Sequence, residues 1–376
     1  MKIFRCETCG HPLFFENVRC LQCGNDLAFL PDRLALCAIE PMPGEQGGLW
    51  RRKASGRRRA GVRLYRLCHN HTAHQACNFA VDAADPNPLC VSCRQTRFLP
   101  DLSMPGNQQR WIRIEAAKRR LFYTLARLQL VSVNPQAAPD GPIFEFLADQ
   151  PGQQVMTGHC NGIITLNVAE ADDDERVRRR LALHEPYRTL LGHLRHEAGH
   201  FYWDRLIRDA HRSEEFRAAF GDETQDYAQA LARHYANGAP ASWQESHVTA
   251  YATAHPWEDW AETWAHYLHM VDLLETAASY NTRVVVPGTD DSDSDEIINP
   301  FDSDVSSFDH LVEKWVPVTL LLNSLNRSLG QDDAYPFALT AGALEKLRFV
   351  HEIIHAPPPA AAAADFPVPA ANCTLA

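Results

Sequence analysis

The chain has 376 residues, 45% of them hydrophobic and 22% charged, with a formal net charge of −11. These proportions exclude a wholly disordered or fibrous chain and leave length for a sizeable core in two or three domains. No apolar run approaches the ~18 residues of a membrane span, and Met1-Lys2-Ile3-Phe4-Arg5-Cys6 carries no apolar signal segment. A cytoplasmic protein without a membrane partner is therefore expected.

Charge and cysteine are unevenly spread. Residues 1–130 carry a balance of +10 and residues 131–376 a balance of −21. Of 11 cysteines, nine precede residue 94, and only Cys160 and Cys373 follow. Dense cysteine in a chain expected to stay in the cytoplasm points to metal rather than disulfides.

Residues 1–100 read as a short, loop-rich module, with an exposed basic loop at 44–61 that includes Arg51, Arg52, Lys53, Arg57, Arg58 and Arg59. Residues 100–106, rich in turn formers, read as a linker. From Asn107 to Leu130, Trp111, Ile114, Ala117, Leu121, Leu125 and Leu128 recur at helical spacing. Ile143–Leu147 and Ile163–Val168 have strand composition. Helices are expected over Asp173–Asp209 with a break near Pro186, then over Glu214–Phe220, Glu223–Tyr235 and Trp257–Leu274, with Pro256 just before the last start. An acidic insertion covers 287–309, helices resume at Asp309–Leu329 and Leu339–Ile354, and 356–376 read as a disordered Pro- and Ala-rich tail.

Cys6-x-x-Cys9 and Cys20-x-x-Cys23 each sit before a glycine, Gly10 and Gly24. Two residues between thiolates let both sulfurs reach one tetrahedral Zn²⁺. Cys68, Cys77, Cys90 and Cys93 form a second set, with His69, His71 and His74 nearby as substitute ligands. Cys37, Cys160 and Cys373 read as core residues. Four-sulfur sites are closed and structural, and such a module is expected to bury little core and to fold on its metal. The basic loop could touch nucleic acid, but aromatic residues are few among its cations. Pairing with the acidic remainder of the chain is the weightier reading.

His196-Glu197-Ala198-Gly199-His200 lies in a helical context. Positions i and i+4 share a helix face, so both imidazoles can reach one Zn²⁺ while Glu197 takes a proton from water. The residues after His200 (Phe-Tyr-Trp) disfavour a three-histidine site. Glu258 and Glu262, four apart among Trp257, Trp260, Ala261 and Trp264, offer one ligand and one carboxylate to orient a ligating histidine. His255 and His269 have no role that the sequence assigns, and His266 reads as a core residue.

The segment Tyr251-Ala-Thr-Ala-His255-Pro-Trp-Glu258-Asp-Trp-Ala-Glu262 resembles the second zinc segment of gluzincin peptidases of the anthrax lethal factor type. That resemblance implies Glu258 as third ligand, Tyr251 as oxyanion stabiliser and Glu262 as the residue that orients a ligand. Over about residues 1–355 the chain more closely resembles bacterial zinc-binding metallopeptidases with an N-terminal zinc-ribbon region. The expected fold is α+β: a rubredoxin-like zinc-ribbon module over 1–100 and a mainly helical, zincin-like domain with a small β-sheet over 107–355. The expected activity is peptide hydrolysis, with Zn²⁺ as cofactor (one catalytic, two structural) and a peptide or protein as substrate. The ribbon could also dock a protein partner. The competing reading is a zinc-ribbon adaptor with a peptidase-like scaffold; a weaker one is a zinc hydrolase of non-peptide amides. The strand over 162–167 could pair with an extended substrate at an open edge or be an ordinary sheet strand.

Overall fold

A computed structural model describes residues 2–44, 48–53, 63–134, 140–183, 189–285, 296–302 and 307–356, with side chains of 179–183 excepted. The expected tail, most of the acidic insertion and Arg57, Arg58, Arg59 and Cys373 lie outside the described residues.

The N-terminal module begins with a two-stranded ribbon, β1 (Phe4–Arg5) and β2 (Pro12–Leu13). An antiparallel meander follows: β3 (Asp26–Leu30), β4 (Ala35–Pro41), β5 (Trp50–Arg52), β6 (Leu64–Leu67) and β7 (Ala80–Asp82). A bridge between Phe29 and Phe79 brings the last strand back beside the first. The short helix α1 (His69–His74) connects β6 to β7. The expected basic loop is thus partly strand, because Trp50 and Arg51 pair with Tyr65 and Leu64 across β5 and β6. Its described cations pair locally: Arg51 with Glu40, and Arg52 with Glu7.

The second sheet has the order β10 (Gly158–Cys160), β11 (Ile163–Asn167), β9 (Ile143–Leu147), β8 (Thr96–Phe98). β8 runs parallel to β9 and β9 parallel to β11, whereas β10 is antiparallel to β11 at the rim. The strand over 162–167 is therefore an interior strand, and its backbone groups are taken on both sides. The open edge next to it belongs to β10.

Helices α2 (Asn107–Arg127), α3 (Asp173–Leu183), α4 (Leu190–Trp203), α5 (Ser213–Phe220), α6 (Tyr227–Asn237), α7 (Pro256–Ser279), α8 (Phe308–Ser328) and α9 (Ala341–His355) make up most of the remainder. The sixth starts four residues later than expected, because the Asp226 side chain accepts from the Gln229 N–H and caps it there. The α+β expectation holds: a cysteine-rich module precedes a largely helical body with a small sheet.

The N-terminal module buries more core than the little expected of it. Phe4, Phe15, Phe29 and Phe79 are buried, and the Phe29 and Phe79 rings stack at 4.3 Å. Tyr123 of α2 packs against Phe15 at 5.6 Å, so one hydrophobic cluster runs from the module into the helical body. Below it, Lys118 and Glu115 form a fully buried ion pair at 3.0 Å, and the Thr96 hydroxyl donates to Glu115 at 2.8 Å. Such a pair is tolerated because the charges also find hydrogen-bond partners. Cys37 is buried as expected, whereas Cys160 is part-exposed on β10.

Candidate metal centre

Local sequence brings α4 and α7 unusually close. The Thr189 side chain caps α4 by accepting from the Gly192 N–H, and the His255 ring caps α7 by accepting from the Trp257 N–H. Where the helices cross, a Cβ on Gly199 would lie 2.9 Å from the Ala261 Cα, so only glycine fits. Trp260 Nε1 donates to the Gly199 carbonyl at 2.8 Å and locks the crossing. The Tyr202 and Trp264 rings stack beside it.

This crossing sets Glu258 of α7 opposite two histidines of α4. His196 Nε2 lies 3.1 Å from Glu258 Oε2, and His200 Nε2 lies 3.5 Å from Glu258 Oε1. One ligand atom from each residue falls within 4.8 Å of the others. Donors about 2.0–2.1 Å from a tetrahedral Zn²⁺ sit about 3.3 Å from one another, so the set fits that ion. Among the described residues, Glu197 Oε2 and His200 Nδ1 are buried with no hydrogen-bond partner, and Glu258 Oε2 meets only His196 Nε2. Buried carboxylate oxygens without partners are costly unless a cation or proton meets them.

The flanking groups divide the two carboxylates. Glu262 Oε1 lies 2.7 Å from His196 Nδ1, and Glu262 Oε2 accepts from the Thr249 hydroxyl at 2.7 Å. Glu262 thus meets the far side of the His196 ring, while Glu258 faces both Nε2 atoms. Burial alone would raise the Glu258 carboxyl, but His200 and His196 outweigh it and hold it well below its ordinary value. Burial likewise opposes Glu262 and Glu197, which His196 and His193 respectively bring down. The Tyr251 ring lies 6.1 Å from the His196 ring, and its phenol is pushed up, first by burial and then by Glu258. Trp257 covers the His200 ring at 3.7 Å between centroids.

Several neighbours were not singled out in the sequence. The Tyr227 hydroxyl donates to Glu258 Oε1 at 2.7 Å. His159 on β10 lies 6.4 Å from the His200 ring, and burial lowers it to about 3, so it is neutral. His193 Nε2 is 3.2 Å from Glu197 Oε1. Only the spacing His193-x-x-x-Glu197, one helical turn, signalled any of these. His255 serves as the cap of α7, and His266 is buried against the Tyr335 hydroxyl.

Both cysteine sets converge. Cys6 Sγ and Cys23 Sγ are 3.6 Å apart, as are Cys9 and Cys20, and Cys77 and Cys90 are 3.8 Å apart. These separations are far too long for a disulfide of ~2.05 Å. They match the edge of about 3.8 Å expected for four sulfurs around Zn²⁺ at ~2.3 Å. The second set draws all four ligands from sulfur, with Cys68 and Cys93 completing it. Of the histidines proposed as substitutes, His71 Nδ1 instead meets the Cys77 carbonyl at 2.7 Å, and His74 packs edge-on against Trp111. Backbone N–H groups of Phe79, Cys90 and Cys93 donate to sulfurs of Cys77, Cys68 and Cys90.

Two family models match the sequence. One, described as a zinc-ribbon domain, covers residues 3–104, and the other, "putative zinc-binding metallo-peptidase", covers residues 107–353. The chain belongs to this metallopeptidase family. The metallopeptidase match contains His196, His200 and Glu258, and the zinc-ribbon match contains both cysteine clusters. The chain is 41% identical over 356 residues to the uncharacterized proteins Rv2568c of Mycobacterium tuberculosis (strain ATCC 25618 / H37Rv) and Mb2598c of Mycobacterium bovis. Each alignment covers 94% of this chain and 95% of the relative. No solved structure matches the chain. Among the described residues, no helix of this metallopeptidase-family chain is long and apolar enough to cross a membrane.

Proposed function

We propose that the chain is a zinc-dependent peptidase whose metal is held by His196, His200 and Glu258, with two further zinc ions held by the cysteine clusters. The observation that carries this reading is the convergence of three donors, two buried and His196 part-buried, beside a buried Glu197 oxygen that has no partner among the described residues. Zn²⁺ at such a three-donor site acts as a Lewis acid, lowering the pKa of a water and polarising a carbonyl.

The chain's own residues divide the remaining work. Glu197 accepts the proton of the attacking water at Oε2 and returns it to the leaving amine. Tyr251 donates a hydrogen bond to the oxyanion that develops on the peptide carbonyl. Glu262, braced by Thr249, accepts from His196 Nδ1–H and thereby turns Nε2 toward Glu258. Trp257 shields the His200 ring from water. The outer edge of β10, the rim strand that carries His159, offers pairing to an extended peptide.

The test uses the zinc-loaded full chain and a mixed-sequence quenched fluorescent peptide library. Glu197→Gln is expected to keep its zinc content and lose at least 100-fold in cleavage rate. Undiminished turnover in that variant would sink the assignment. One observation favours an additional binding role for the ribbon: Leu21, between Cys20 and Cys23, is 87% exposed, and Phe14 and Val18 are also exposed. Large apolar side chains at a rigid tip fit a protein contact.

A further inference from the structure

His193 is one helical turn before Glu197 on α4, so their side chains share a face. Its Nε2 lies 3.2 Å from Glu197 Oε1, and its Nδ1 lies 2.6 Å from Glu170 Oε2. Glu170 is almost fully buried in the turn Val168–Ala171 that follows β11. Its other oxygen accepts from the Thr157 hydroxyl at 2.6 Å. The direction of that bond is fixed, because a carboxylate only accepts, and the same hydroxyl oxygen accepts in turn from the Asn167 N–H at 3.1 Å. Thr157 thus donates to Glu170, and His193, with a carboxylate oxygen at each ring nitrogen, donates Nδ1–H to Glu170 and Nε2–H to Glu197 as an imidazolium. The row ties the sheet to the helix through four side chains.

The two oxygens of Glu197 are treated differently. Oε1 is held by His193, whereas Oε2 is buried and has no partner among the described residues. A carboxylate on a flexible stem otherwise has a choice of rotamers and of which oxygen to present. We propose that His193, braced by Glu170 and Thr157, is a positioning residue that pins Glu197 by Oε1 and leaves Oε2 as the oxygen that accepts the proton of the attacking water. The inference rests on the peptidase reading for its role, though not for the contact itself. A base misplaced by about 1 Å can lose roughly 10²-fold in rate, which sets the scale of what the clamp protects.

Two measurements on the full chain separate the contact from the role. In protein labelled with ¹⁵N-histidine, the His193 ring signals are assigned from their loss in His193→Gln. They are expected to move in Glu197→Gln and again in Glu170→Gln. Signals unmoved in Glu197→Gln would overturn the inference, whether or not the protein cleaves anything.

The role is read with the zinc-loaded protein and the same peptide library. His193→Phe is expected to lower kcat about 10- to 100-fold, with KM within about twofold and zinc content unchanged. His193→Gln, which restores an N–H donor, is expected to recover most of that loss. Glu170→Gln is expected to lose less, about 3- to 10-fold, because it acts through His193. Full kcat in His193→Phe would overturn the positioning role. So would a kcat loss that tracks lost zinc or a lowered melting temperature and that His193→Gln does not rescue. Absence of cleavage by the wild-type protein would instead count against the peptidase reading, and the ring signals would still decide the clamp.

Discussion

The cluster of Cys68, Cys77, Cys90 and Cys93 and the cluster of His196, His200 and Glu258 are both buried where helix meets sheet, yet they are finished differently. The sulfurs supply four donors and take backbone N–H groups in addition, so the first cluster is complete within itself. The second supplies three donors and, among the described residues, leaves the buried Glu197 Oε2 beside them without a partner. On the reading proposed above, similar burial serves opposite ends: a closed set would exchange metal affinity for folding free energy, whereas an open set would keep a coordination position for reaction.

The largest expected effect that could break this comparison is that of Cys90→Ser. It should remove the cooperative thermal transition of the whole chain, a loss of about 5 kcal/mol or more, followed by circular dichroism at 222 nm. A wild-type melt would show that the cluster does not support the fold. Gly199→Ala should come next, because its Cβ meets the Ala261 backbone and must part α4 from α7. A cost of about 3 kcal/mol in a denaturant melt is expected, with weaker zinc retention at the His and Glu donors. An unchanged melt would mean that the helix crossing yields easily.

Glu262→Ala sharpens the contrast further. Losing the acceptor for His196 Nδ1 should weaken zinc at this site about 10- to 100-fold in a chelator competition, with the melt of the metal-free protein little changed. Unaltered affinity would remove Glu262 from the site. Cys9→Ser should have the smallest effect on the body of the protein. Cys9 is exposed, so one zinc equivalent should be lost with only a small shift of the melt. A collapse like that expected for Cys90→Ser would show that the two cysteine sets are not distinct in kind.

Much of this was open to reading from the sequence because it depends on short-range periodicity. Cysteine pairs two residues apart, histidines four apart and the Glu258/Glu262 pair all report on one local element, and helix α2 announced itself through Trp111, Ile114, Leu121 and Leu125. What the sequence concealed is contact between distant elements. Nothing local to Tyr227 says that its hydroxyl reaches Glu258, and nothing local to Glu170 says that it reaches His193. The strand over 163–167 looked the same as an edge or an interior strand, because composition records burial and not which neighbours pair. The expectation that the N-terminal module buries little core fell short for the same reason: its phenylalanines are few, but they complete a core whose other half lies on α2.

Strand β8 gives that shared core a further meaning. It lies before residue 107, where the metallopeptidase-family match begins, yet it is the outer partner of β9 in the sheet that the matched residues otherwise build. A chain started at 107 would turn β9 into a bare edge of unpaired N–H and C=O groups, a template for aggregation. It would also strip the Thr96 hydroxyl from the buried Glu115 carboxylate. The ribbon and the helical body therefore should not separate as interchangeable cassettes, since each half carries part of the other's sheet or core.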